Sequence, residues 1–180
     1  MATPELVTVR DFSTSPYAQL ADNLDTPLND ILVRAEGAVQ KSLGQRIKDA
    51  SYVERFKAQG STIFLRKRPI TSVTSIRRRY LRSMDWSNLL VDDYYFEAEP
   101  GYIECYVDLT GSELEVTYTA GYSTLPEDLR QAILMQAVMF AYQDLEVYGS
   151  GDSNAPGIGY IQEMVNKLIA PYRQGATVWH

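Results

Sequence analysis

The hydrophobic period of this chain changes twice, and that change limits the folds open to it. Leu28, Ile31, Leu32, Ala35, Ala38, Val39 and Leu43 recur at helical spacing. Thr26 before Pro27 forms an N-cap and N1 pair, Asn29 and Asp30 suit the first turn, and Gly44 is a natural stop. The spacing predicts a helix over 27–43. From about residue 62 the period drops to two. Ile63 and Leu65 fall on one side, Phe64 and Arg66 on the other. Residues 70–81 read as a longer strand with an irregularity near Ser75, and 94–96, 102–107 and 114–119 as three more. Glu99-Pro100-Gly101 and Leu109-Thr110-Gly111 are turns between them. Residues 51–58 fit a strand pattern less well. Helical period returns after Pro126. There the apolar arc is so wide that 126–148 is expected to be buried on more than one side. Residues 160–172 form a second amphipathic helix, with Ile161, Met164, Val165, Leu168 and Ile169.

The expected architecture is therefore α+β: N-terminal helices, an antiparallel sheet of four to six strands, a long buried helix and a C-terminal helix. A weaker helical signal covers 16–23. The length of 180 residues suits one domain with an extension. We divide it as a core over 1–148, followed over 149–180 by a flexible loop, the last helix and a tail.

Composition narrows the function. Apolar residues are 45% and charged residues 22%, as in ordinary globular domains, which argues against wholesale disorder. The longest apolar stretch, within 131–143, is interrupted by three glutamines and is too short to span a bilayer. The opening MATPELVTVRDF has no basic stretch followed by an apolar one, so no signal peptide is expected. Cys105 is the sole cysteine, which implies a reducing, cytosolic setting and no internal disulfide. The one histidine is His180, so no histidine-based triad or metal cluster is expected inside the fold. No enzyme activity, catalytic residue, cofactor or metal site is read from the sequence.

Three further features attract functional readings. The loop GSGDSNAPGIG looks like a phosphate cradle, but it lacks Gly-Lys-Ser/Thr and follows a helix, so a plain linker is favoured. Asp92, Asp93, Glu97 and Glu99 suggest paired carboxylates, yet they lack calcium-loop spacing and read as a solvated acidic face. Glu97 and Glu99 are expected to share a strand face. Thirteen tyrosines, six of them on the predicted sheet, fit half-buried strands or an oligomer interface.

Charge is the main anomaly. The formal net charge of −6 argues against a general nucleic-acid binder. Yet residues 1–82 carry 14 Lys/Arg against 8 Asp/Glu, while 83–180 carry 3 against 15. Between Arg66 and Arg82 stand seven basic residues and no acid: Arg66, Lys67, Arg68, Arg77, Arg78, Arg79 and Arg82. From Ser83 to Leu129 there are eleven acids and no Lys or Arg. The basic run can bind phosphate backbone or pair with acids on a neighbouring strand or subunit.

The stretches PITSVTSIRRRYL, LLVDDYYFEAEPGYIECYV and LEVTYTAGYSTLPEDLRQAILMQAVMFAYQDLE resemble the tailed-bacteriophage head–tail connector, or adaptor, family. Its "P-I-x-S-V" strand is matched by Pro69, Ile70, Ser72 and Val73. Its "V-x-Y-x-A-G-Y" turn is matched by Val116, Tyr118, Ala120, Gly121 and Tyr122. Its "P-x-D-L-x-x-A-I" helix start is matched by Pro126, Asp128, Leu129, Ala132 and Ile133.

The resemblance covers roughly 7–148 and implies a non-enzymatic subunit of a homo-oligomeric ring, usually of twelve, in the neck of a virion assembled in the host cytoplasm. The ring joins the portal protein to a downstream neck or tail protein. DNA passes through its lumen without sequence-specific binding, and no membrane is involved. On this reading the basic 66–82 segment with its seven cations faces the acidic 83–129 surface of the next subunit or of a neighbouring ring, with Asp92, Asp93, Glu97 and Glu99 as interface candidates, or some acids line the lumen. Tyr160, Met164, Leu168, Tyr172, Arg173, Val178 and Trp179 become candidates for portal docking. The alternatives are a stopper or tail-completion protein, and a nucleic-acid-binding module using 66–82.

Overall fold

The computed structural model describes residues 3–24, 26–80, 84–147 and 158–173. The chain divides into two compact units. One combines residues 1–45 with 125–180, and the other is the continuous stretch 46–124.

The first unit is helical. Helix α1 spans Val9–Ser13, α2 Leu28–Leu43, α3 Glu127–Val147 and α4 Ile158–Ile169, with short 3-10 turns at Ala18–Asn23 and Ala170–Tyr172. Thr8 starts α1 with a reciprocal capping box. Its hydroxyl accepts from the Asp11 N–H at 3.3 Å, and its own N–H donates to Asp11 Oδ2 at 2.7 Å. Gly44 closes α2 in the left-handed region at φ 71°.

The start of α2 differs from the sequence reading. Pro27, not Thr26, occupies the N-cap position, and no side chain caps the helix. Thr26 is instead held by Asp144 near the end of α3: its N–H donates to Oδ2 at 3.1 Å and its hydroxyl to Oδ1 at 2.8 Å. A tertiary acceptor has displaced the local cap.

Helix α3 packs on both α2 and α4, which explains its broad apolar arc. Leu129, Ala132, Ile133, Ala137, Val138 and Ala141 are all completely buried. The small alanines allow close approach on two sides, and each large apolar side chain buried contributes about 1.5–3 kcal/mol. The segment before α1 is anchored through Glu36 of α2, which is 5% exposed. Its carboxylate accepts backbone N–H bonds from Glu5, Leu6 and Val7 at 3.0, 2.8 and 2.9 Å.

Among its described residues the second unit holds seven strands in two antiparallel sheets, where the sequence suggested one. They are β1 (Ala50–Lys57), β2 (Thr62–Phe64), β3 (Ile70–Arg79), β4 (Ser87–Asn88), β5 (Tyr94–Glu97), β6 (Tyr102–Cys105) and β7 (Glu113–Ala120). The larger sheet runs β1-β7-β3-β4 and the smaller β2-β6-β5. The β3–β7 register shifts between Ile70 and Ser72 and again between Val73 and Ser75, close to the expected irregularity.

Strand β1 is a full eight-residue strand paired with β7, although its pattern was weak. Glu54 obscured it by standing on the same side as Tyr52 and Phe56. The structure supplies the reason: the hydroxyl of Tyr118, itself completely buried, donates to Glu54 Oε1, and the Arg66 N–H reaches the same oxygen at 3.2 Å. Burial, then the bond to Glu54, holds the Tyr118 hydroxyl protonated far above the usual tyrosine range. The core of this unit gathers Ile63, Ile76, Ile103, Leu109, Leu114 and Val116 around Tyr118.

Candidate assembly surfaces

Two faces of the second unit carry its surface chemistry. The first lies on the larger sheet. In register across β1, β7 and β3 stand Arg55, Glu115 and Arg77, and one step along stand Lys57, Glu113 and Arg79. Residues two apart share a face, so all six project on one side. Glu115 is only 3% exposed and is shared between two guanidiniums. Arg55 Nε donates to Oε2 at 2.6 Å, and Arg77 pairs with Oε1. Arg79 meets Glu113 through Nε at 2.8 Å and Nη2 at 2.6 Å. Trp86 covers this end of the sheet, with Arg79 4.5 Å and Arg77 5.7 Å from its ring centroid. Arg55, Phe56, Lys57, Arg79, Trp86, Glu113 and Leu114 line an open groove of about 360 Å³.

The second face lies on the smaller sheet. Thr62, Glu104 and Tyr95 form one cross-strand row, and Phe64, Tyr102 and Glu97 the next. Phe64 and Tyr102 ring centroids are 5.9 Å apart, Tyr102 and Tyr95 6.5 Å, and Tyr95 and Tyr106 6.0 Å. The Tyr95 hydroxyl donates to Glu104 Oε2 at 2.5 Å. That bond, before any effect of burial, raises the Tyr95 pKa. Phe64 is 45% and Tyr106 69% exposed, so a continuous aromatic row meets solvent.

The residues singled out in the sequence fall into several environments. Arg77 and Arg79 have partners inside the chain. Arg78 lies 5.5 Å over the Tyr80 ring. Arg66 is exposed, and Arg68 packs beside Gly101 and donates to the Pro100 carbonyl at 3.3 Å. Lys67 is half-buried, and Arg82 lies outside the described residues. Asp92 and Asp93 end a 3-10 turn at Val91–Asp93, where Asp93 Oδ2 accepts the Leu90 N–H at 2.8 Å. Glu97 closes β5, whereas Glu99 sits in the following turn, so strand alternation does not carry over to it. Among the described residues no group of three acidic, cysteine or histidine side chains is arranged to hold a metal ion.

In α4, Ile161, Val165 and Ile169 are buried and the helix packs on α3. Met164 and Leu168 border that stripe and are half-buried. Tyr160 is 63% exposed. Tyr172 donates to Asp128 Oδ2 at 3.4 Å, and Arg173 Nη2 to Asn166 Oδ1 at 2.7 Å. Val178, Trp179 and most of the GSGDSNAPGIG loop lie outside the described residues.

Sequence reasoning missed Arg55, Lys57, Trp86, Glu113 and Glu115 as surface chemistry. A usable signal was present: cations two apart in 55–57 and acids two apart in 113–115, the spacing of one strand face.

A family model for head completion proteins matches residues 5–174. The chain belongs to the head completion protein family. The head–tail connector resemblance read from its motifs agrees with that assignment. Comparison with curated proteins finds no match. Among solved structures, this head completion protein shares its fold with a chain of the neck of an empty gene transfer agent particle, described with C6 symmetry. The TM-score is 0.59 at 21% identity, covering 100% of this chain and 99% of that one. A chain from the neck of the native particle, with C12 symmetry, gives the same values. A chain from the native gene transfer agent virion matches with a TM-score of 0.55 at 18% identity, over 93% of this chain and 92% of that one. Among the described residues no helix is long and apolar enough to cross a membrane.

Proposed function

We propose that this head completion protein is a non-enzymatic structural subunit of a phage-type neck. It forms a ring, twelvefold in the assembled particle, that joins the portal protein to the next neck or tail protein. The ring surrounds a channel through which DNA passes without sequence-specific binding. Assembly takes place in the host cytoplasm, and the finished ring resides in the virion. The observation that carries this reading is the family match over residues 5–174, supported by whole-length likeness to neck chains described with C6 and C12 symmetry.

The portal contact is assigned to the C-terminal part: the exposed side of α4 around Tyr160, then Tyr172, Arg173 and the segment that includes Val178 and Trp179. Deleting 173–180 tests it. The truncated protein is expected to lose co-purification with portal while its circular dichroism stays unchanged. Undiminished binding contradicts the assignment. The subunit contact is assigned to the basic 66–82 segment and the acidic residues Asp92, Asp93, Glu97 and Glu99. Such complementarity orients assembly more than it strengthens it.

A further inference from the structure

The two sheet faces differ in sign. On the larger sheet four cations, Arg55, Lys57, Arg77 and Arg79, stand with two carboxylates, Glu113 and Glu115. Internal pairing therefore leaves an excess of two positive charges, and Lys57, opposite Glu113 in the register, makes no ion pair among the described residues. The groove at that end is lined by Trp86, Arg55, Lys57 and Arg79 among others. On the smaller sheet the aromatic row carries two carboxylates, Glu97 and Glu104, and no cation in its two cross-strand rows. Both faces are open in the single chain: Arg55 is 70% exposed on one and Tyr106 69% on the other. A solvent-facing row of linked aromatics is the kind of patch that marks a contact surface.

Nucleic acid is a poor occupant for the aromatic face, because the adjoining carboxylates repel phosphate. A symmetric dimer through either face sets like charge against like, which is costly. One copy's aromatic, acidic face against another copy's basic groove matches both sign and number. Guanidiniums also stack on tyrosine rings. A contact between two different faces of the same chain is heterologous, and such contacts close into rings when the rotation fits.

We infer that the Phe64–Tyr102–Tyr95–Tyr106 face, with Glu97 and Glu104, seats on the Arg55–Lys57–Arg79–Trp86 groove of an adjacent copy. This deepens the ring reading above and rests on it. Relative to the segments named from the sequence, it moves the basic half of the contact onto β1 and Trp86, and the acidic half onto β5 and β6.

The test uses full-length protein mixed with portal rings, with bound copies counted by mass photometry and the fold checked by thermal melting. Lys57→Glu and Glu97→Lys are both exposed changes. Each alone is expected to weaken ring formation about tenfold, the effect of roughly 1.4 kcal/mol. Lys57→Glu combined with Glu97→Lys is expected to recover most of the wild-type level, and Tyr106→Ala to lower it. Single variants that assemble like wild type overturn the inference, as does a double variant no better than either single. Retained rings with salt-dependent DNA binding lost in Lys57→Glu assign the groove to DNA and also overturn it. A wild-type protein that forms no ring, on portal or in particles, removes the ring reading itself, a distinct result from failure of the two faces to match.

Discussion

Gly121 lies directly against the backbone of Asp49. A Cβ at position 121 would stand 2.7 Å from both the Asp49 Cα and its nitrogen, and the residue has φ 125°, outside the range of ordinary side chains. Tyr122 then donates its N–H to the Ile47 carbonyl at 2.8 Å, and Lys48 and Tyr122 form a parallel bridge. The Ala120-Gly121-Tyr122 motif thus ends β7 by pinning it to the chain just before β1. Gly121→Ala is expected to cost about 3 kcal/mol through backbone strain and displacement of Asp49. Chemical denaturation of the variant checks this. A loss below about 1 kcal/mol contradicts the close approach.

Glu115 and Glu113 offer an internal comparison. Both pair with cations across the larger sheet, but Glu115 is 3% exposed and Glu113 32%. Glu115→Gln removes a desolvated charge shared by two arginines and is expected to cost about 2 kcal/mol. Glu113→Gln is expected to cost about 0.5–1 kcal/mol, as for a solvated pair. A double-mutant cycle on Arg77 and Glu115 measures the coupling directly. Equal costs at the two glutamates count against the buried position of Glu115.

Glu36 holds residues 5–7 through three backbone N–H groups. Glu36→Ala leaves those donors without their acceptor, and hydrogen bonds to a charged group contribute about 1.5–3 kcal/mol. Hydrogen exchange at Leu6 and Val7 is expected to accelerate at least tenfold while β7 amides exchange as in wild type. Unchanged protection at both positions contradicts the anchoring role.

Cys105 is 3% exposed, and its pKa is pushed up to about 11 by burial, then by Asp93 and Glu104. The native thiol is expected to resist maleimide at pH 8 and to react after denaturation. The unfolded thiol loses its proton near its ordinary value of 9.0, before the folded one does. Between those values the native state binds more protons, so this group lowers stability as pH rises from about 9 to 11. Thermal melts across that window, compared with Cys105→Ala, measure the slope. A variant with the same slope as wild type excludes Cys105 as its source.

The readability of these elements in the sequence depends on how local their causes are. The body of helix α2 and its Gly44 stop rest on spacing and glycine conformation within the helix, and both appear as read, unlike the helix start. The width of α3 also carried its meaning, because burial on two sides is written in the residues themselves. Strand β1 was obscured because Glu54 faces Tyr118, a residue 64 positions away. Thr26 was misassigned for the same reason, since its acceptor, Asp144, is 118 positions away. The charge split was visible as a count. Its resolution into Arg55–Glu115–Arg77 and Lys57–Glu113–Arg79 needed the register of three strands, which only the folded sheet supplies.

Cryo-electron microscopy of the particle that carries this protein tests the central claim most directly. The account predicts a ring of this chain around the DNA channel, seated against the portal on one side and the next neck or tail protein on the other. Density for this chain elsewhere in the particle, or no copies in the neck at all, would contradict it.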